Sequence, residues 1–257
     1  MVTVEEISEL DRIASRSWPA REVQRVGGWL LRATSGVTRR ANSVLPLDWE
    51  GAEDLGAAVD RVCEFYAQRR IIPRFQVTRG SQPEGLDESL GELGFVVELK
   101  VIIQVAPIDA LVTRGSEIPV GVNSSPNREW FAAYAEAGGL GDFSLKIRQE
   151  IMERVPATKG FAAARVDGRI VGIGFGVSDG EWLGLFAIVT HPEYRRRSVA
   201  TTVSCALAQW GQRQGARKVY LQVEEENPAA LKLYEKMGFR NHHKYWYRML
   251  EDPEDKD

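Results

Sequence analysis

Apolar residues run along 181–189 on both alternating faces, Trp182, Phe186 and Ile188 on one and Leu183, Leu185 and Val189 on the other. A strand with two apolar faces is covered on both sides, so this one is expected at the centre of a sheet. Pro192 cannot donate to a ladder and ends it. The period then lengthens: Val199, Val203, Leu207 and Trp210 share one face of a helix that Gly215 stops. A second strand is expected over 218–223. Asn227 then caps another helix, with Pro228 in its first position, Ala230, Leu233, Tyr234 and Met237 on one face and Gly238 past its end.

Ahead of this run, two helical patterns cover 127–137 and 143–155, and a hairpin joins 160–166 to 170–177 through Asp167 and Gly168. The segment 107–126 breaks periodicity with Gly115, Pro119, Gly121 and Ser124-Ser125, and is the best boundary. Before it, two strands are expected over 21–32 and 37–46 around Ser35-Gly36. A helix over 52–70 would bury Leu55, Val59, Val62, Cys63 and Tyr66. Phe75-Gln76-Val77, Pro83, Leu90 and Gly94-Phe95 echo Leu221-Gln222-Val223, Pro228, Tyr234 and Gly238-Phe239. The pattern predicts an α/β (α+β) protein, divided into domains 1–110 and 120–252.

Candidate chemistry concentrates between the central strand and the helix after it. There the chain reads Arg195-Arg196-Arg197-Ser198-Val199-Ala200. Backbone N–H groups opening a helix, the positive end of its dipole and three guanidinium groups together form a receptor for a diphosphate. Small side chains at Ser198 and Ala200 let such a ligand approach the backbone.

At these residues the chain resembles the GNAT superfamily of N-acetyltransferases, whose diphosphate loop follows Arg/Gln-x-x-Gly-x-Gly/Ala. A second GNAT signature, Asn-x-x-Ala-x-x-Leu-Tyr-x-x-x-Gly-Phe, is matched by Asn227, Ala230, Leu233, Tyr234, Gly238 and Phe239. Ser198 departs from the pattern by standing where glycine is usual, which implies weaker coenzyme binding. The resemblance implies a GNAT-type mixed central sheet flanked by helices, with a complete GNAT domain in the second half and a degenerate half-repeat in the first. In the latter, Leu90 replaces the tyrosine, and the loop after Pro46 is acidic where a diphosphate would need positive charge. Residues 27–32 and 39–44 also resemble actinobacterial GNAT proteins that carry such a region before the GNAT domain.

The resemblance further implies acetyl-CoA as co-substrate, held by Arg195, Arg196, Arg197, Ser198, Val199, Ala200 and Asn227. Backbone groups of Ile188, Val189 and Thr190 would take the pantetheine arm and the acetyl carbonyl. A primary amine of a small molecule or peptide would attack directly, with Tyr234 protonating the leaving thiolate. Glu181 is the first choice for the base that takes the amine proton, with Asp179 and Glu224 behind it. Trp130, Tyr134 and Phe143 would wall the acceptor side unless they are plain core. His191 reads as structural, and His242 and His243 as loop bystanders. A non-catalytic coenzyme A-binding or regulatory protein is the alternative reading. Transfer of a longer acyl group, or transfer to a thiol or hydroxyl, also stays open.

Composition narrows the frame without choosing an activity. The 257 residues are 44% hydrophobic and 27% charged, with a formal net charge of −3, so there is no electrostatic case for nucleic acid. Cys63 and Cys205 lie in helical patterns and read as buried small hydrophobes in a reducing cytoplasm. The opening MVTVEEISEL is acidic and lacks an apolar core, and no run reaches the ~18 apolar residues of a membrane span. No metal is expected. Oligomeric state stays open, a homodimer among the options.

Overall fold

A computed structural model of the protein describes residues 2–51, 54–113 and 118–251. Ala52, Glu53, Gly115 and Asp252, on which some of the expectations fall, lie outside the described residues. The chain divides into two compact units. The first takes in the residues up to Ile102, Glu150–Arg154 and those from His243 on; the second takes in Ile103–Gln149 and Val155–His242.

The first unit begins with α1 (Val4–Ser17), then β1 (Glu22–Val26), β2 (Trp29–Ala33), β3 (Val44–Leu45), α2 (Leu55–Ala67), β4 (Arg74–Thr78), α3 (Leu86–Glu92) and β5 (Phe95–Pro107), which runs into the second. The second continues with α4 (Asp109–Val112), β6 (Val120–Asn123), α5 (Arg128–Gly138), α6 (Asp142–Arg154), β7 (Thr158–Val166), β8 (Arg169–Asp179), β9 (Trp182–Thr190), α7 (Val199–Arg213), β10 (Lys218–Glu224) and α8 (Pro228–Lys236). Then β11 (Arg240–Leu250) crosses back into the first.

Within the first unit the strand order is β1-β2-β3-β4-β11, with β4 and β11 antiparallel from Thr78 opposite Tyr245 to Arg74 opposite Met249. One helix is additional to those expected, and one expectation is corrected. The acidic N-terminus is α1, nucleated by a capping box in which Thr3 and Glu6 exchange hydrogen bonds, with Ile7, Leu10, Ile13 and Ala14 buried along one face. The first hairpin turns at Gly27-Gly28, where both residues have positive φ (54° and 97°), and not at Ser35-Gly36. The latter pair lies in a loop organised by the buried Asn42. Its side chain accepts from the Thr34 and Gly36 N–H groups and donates to the carbonyls of Val37 and Thr38. His243 also departs from expectation: it is buried in β11, its Nε2 3.1 Å from Asp11 Oδ1.

Within the second unit the strand order is β10-β9-β8-β7-β6, with the end of β5 beside β10. The β7–β8 hairpin turns at Asp167 (φ 50°) and Gly168 (φ 81°), as the sequence predicts. One sheet face carries a row of rings, Trp130, Phe161, Phe175, Phe186 and Tyr220, with centroids 4.8–6.1 Å apart between neighbours. Trp130 and Tyr134 are therefore core, whereas Phe143 is exposed.

The other face packs α7 directly onto β8, and glycine makes this possible. A Cβ at Gly172 would stand 2.3 Å from Val199 Cγ1, and one at Gly174 would stand 2.6 Å from both Ile188 Cδ1 and Val203 Cγ1. Gly174→Val is accordingly expected to cost about 3 kcal/mol by overpacking. A urea melt with an unchanged slope and a lower midpoint would show it; an unmoved midpoint would contradict the packing described here.

Candidate functional site

Two parallel strands that start together and then separate define the site. Lys218, Val219 and Tyr220 of β10 pair with Trp182, Leu183 and Gly184 of β9, and the pairing stops there although the strands continue to Glu224 and Thr190. The separation coincides with a bulge. Ala187 has φ 48°, and one extra residue enters β9 between Phe186, opposite Phe175, and Val189, opposite Ile173. The bulge reverses the faces beyond it. Ile188, expected beside Phe186, points instead toward α7, next to Val203.

Residues 183–186 are buried, but 187–190 are only half-buried. The Thr190 hydroxyl is inaccessible and has no hydrogen-bond partner. A buried hydroxyl left in that state costs about 1–3 kcal/mol. Beyond Gly184, β9 thus presents backbone groups that β10 does not pair.

The loop beyond β9 brings three arginines to the opening of a helix. The His191 N–H donates to the Val171 carbonyl, and a 3-10 turn, Pro192–Tyr194, follows. Arg196 and Ser198 then adopt left-handed backbone (φ 60° each), and α7 begins at Val199. Ser198 makes no side-chain capping bond, and the first N–H groups of α7 have no carbonyl within the helix to accept them. The side chains of Arg195, Arg196 and Arg197 are exposed around this turn, with the Arg197 guanidinium 5.4 Å from the Tyr194 ring centre. The left-handed backbone at Ser198 gives the usual glycine of the pattern a physical meaning: glycine adopts it without strain.

The second helix opens at the same end of the sheet, because β9 and β10 are parallel and α8 follows β10. Asn227 is its cap, its Oδ1 accepting from the Ala230 N–H at 3.0 Å. Tyr234 lies two turns along, 8% exposed, edge-on to Phe239 in a cluster with Leu221 and Val223. Burial pushes its phenol up to about 12.

Glu181 is not brought to this end. It precedes β9, nine residues from Thr190 and so roughly 30 Å away along the strand. Its exposed carboxylate lies 3.6 Å from Lys218 Nζ and 3.9 Å from Arg217 Nε. Asp179, opposite Trp182, shares that remote end. Glu224 is different. It is four residues past Tyr220, as Ile188 is four past Gly184, and so borders the slot. Tyr220, whose face Glu224 shares by alternation, packs on Phe186, whereas Leu221 and Val223 pack with Tyr234. The carboxylate and the phenol therefore belong to opposite faces.

Beside Val189 a small recess of about 10 Å³ is lined by Ala133, Glu136, Ile173 and His191 among others. A larger one of about 200 Å³ lies between α5 and the β6–β7 edge, over Trp130, Phe161 and Arg165. Neither cysteine is in a disulfide; Cys205 is buried and Cys63 half-buried. Among the described residues, no group of three or more His, Cys, Asp or Glu could hold a metal ion. No helix among them is long and apolar enough to cross a membrane.

Comparison with known proteins places this geometry among acetyltransferases. Residues 4–248 match the family described as probable histone acetyltransferase Rv0428c C-terminal. The chain is 30% identical over 250 residues to the uncharacterized N-acetyltransferase YobR of Bacillus subtilis, covering 96% of this chain and 99% of that one. A GCN5-related N-acetyltransferase from Kribbella flavida superposes with a TM-score of 0.73 at 17% identity, over 98% of this chain and 96% of its own. A tandem GNAT protein from the clavulanic acid biosynthesis pathway does so with a TM-score of 0.66 at 13% identity, over 95% and 88%.

Proposed function

The chain belongs to the Rv0428c C-terminal acetyltransferase family, a branch of the GCN5-related N-acetyltransferases, and from that premise we propose that it moves an acetyl group from acetyl-CoA to a primary amine of a small molecule or peptide. The observation that carries this reading is the slot between β9 and β10, with the mouths of α7 and α8 at its end and a buried phenol along one side.

In this reading the diphosphate of the coenzyme sits on the N–H groups opening α7, with Arg195, Arg196 and Arg197 supplying formal charge and Ser198, Val199 and Ala200 the backbone. Asn227 holds the opening of α8 at the neighbouring wall. The pantetheine arm pairs with the backbone of Ile188, Val189 and Thr190 that β10 leaves unpaired.

The amine attacks the thioester carbonyl directly. A backbone N–H beyond the bulge stabilises the oxyanion, and the C–S bond breaks as Tyr234 delivers its proton to sulfur. Because Glu181 stands at the far end of β9, we assign the amine proton to Glu224, acting directly or through water from the face opposite Tyr234. Acid and base on opposite faces match the direction of the reaction, in which the amine enters on one side and the thiolate leaves on the other.

Calorimetric titration of acetyl-CoA, paired with thiol release over a panel of amines, tests the reading. Saturable binding is expected, with release that depends on the amine and falls at least about 100-fold in Glu224→Gln. Binding without release for any amine would favour a coenzyme-sensing protein. No binding would remove the assignment of the loop.

A further inference from the structure

Four charged or ionisable side chains outside the slot converge behind the coenzyme loop, from segments well separated in sequence. His191 is the hub, its side chain 12% exposed. Its Nε2 lies 2.7 Å from Arg169 Nη2 and 3.2 Å from Glu136 Oε1, and its Nδ1 lies 3.4 Å from the Glu193 backbone nitrogen. Arg169 in turn reaches Glu136 at 3.3 Å and Glu193 at 3.6 Å. The cluster joins α5, the start of β8 and the turn that leads into the arginine loop. We propose that it is a positioning device, locking that turn to α5 so that the left-handed residues Arg196 and Ser198 are held ready for the coenzyme. This rests on the coenzyme reading above.

Magnitudes favour positioning over stability. Glu136, Arg169 and Glu193 are each at least half exposed at the side chain, and exposed ion pairs contribute little to folding. Non-glycine residues in left-handed backbone, by contrast, persist only where their surroundings over-determine them. Here α7 fixes the exit of the loop. Its entry is fixed by the His191 N–H bond to Val171 and by this cluster. The recess beneath, about 10 Å³, has room for no more than about one water, so α5 and the end of β9 have little slack between them.

The test compares coenzyme A affinity with turnover in Glu136→Ala, Glu136→Gln and His191→Asn. We expect the dissociation constant for coenzyme A to rise about tenfold in His191→Asn and about threefold in Glu136→Ala. Glu136→Gln should recover part of that loss. The kcat at saturating acetyl-CoA should stay within about twofold, the melting temperature should be unchanged, and the two sites should be non-additive in the double variant. Glu136 is exposed, so its variants will fold even if His191→Asn does not. Unchanged affinity in both Glu136 variants, or a fall in kcat at unchanged affinity, would overturn the proposal. Failure of the parent protein to bind coenzyme A would overturn the coenzyme reading itself, and the proposal with it.

Discussion

Tyr234→Phe is expected to lower kcat about 100-fold while leaving acetyl-CoA affinity within about twofold of the parent, because the hydroxyl is needed only when the thiolate departs. The ring stays in its cluster with Phe239, so the fold should not change. Burial pushes the phenol up to about 12, which keeps it protonated well past neutrality. The pH profile of kcat should then rise as the amine loses its proton and run flat to about pH 10. A full rate in Tyr234→Phe would remove Tyr234 from the reaction, whereas a descending limb near pH 8 in the parent that vanishes in this variant would keep Tyr234 as the acid and contradict its raised phenol. The same shift predicts a stability effect. The folded state holds this proton more tightly than the unfolded chain, so the contribution is complete below the unfolded value of about 10 and is lost as pH climbs toward 12.

Ser198→Asp should separate binding from stability with opposite signs. Aspartate tolerates left-handed backbone better than most residues, and a carboxylate at the start of α7 gains about 0.3–1 kcal/mol from the helix dipole. The variant should therefore melt at or above the parent temperature. Its charge, however, would face the coenzyme diphosphate within a few ångström, where each like-charge contact costs on the order of 4 kcal/mol near a protein surface. Affinity for acetyl-CoA should fall at least about 100-fold. Ser198→Gly is the companion: it relieves about 1 kcal/mol of backbone strain and should bind as tightly as the parent or a few-fold better. Undiminished binding in Ser198→Asp would mean that the arginine loop is ordinary solvated surface.

Much of this was legible in the chain because each signal was local. Asn227-Pro228 opening α8 and Asp167-Gly168 turning a hairpin depend on a few adjacent residues whose dihedral preferences are strong. Ser198 is visible in the chain as a departure from a glycine pattern, whereas its left-handed backbone is a finding of the structure. The bulge at Ala187 was not legible. Alanine has no preference for positive φ, and the strand alternates cleanly through it, so Ile188 was assigned to the wrong face. The remoteness of Glu181, by contrast, is legible, since the strand pattern over 181–189 places it nine extended residues from Thr190. The cluster around His191 is spread from Glu136 to Glu193, so only the fold could assemble it. The helix α1 was readable and passed over: Thr3 and Glu6 have capping-box spacing, and Ile7, Leu10 and Ala14 recur at helical intervals.

The path of β11 bears on how the protein is made. The first unit pairs β4 with a strand that the ribosome completes only after every element of the second unit. Until Tyr245–Met249 emerge, β4 has an unpaired edge, and nascent chains with such edges are prone to pair with one another. Vectorial synthesis therefore leaves the first unit unfinished while the second folds. For the same reason, cutting the gene at the boundary near residues 107–126 would not yield two self-sufficient halves. The N-terminal piece would lack the strand that closes its sheet, and the C-terminal piece would carry that strand without a partner.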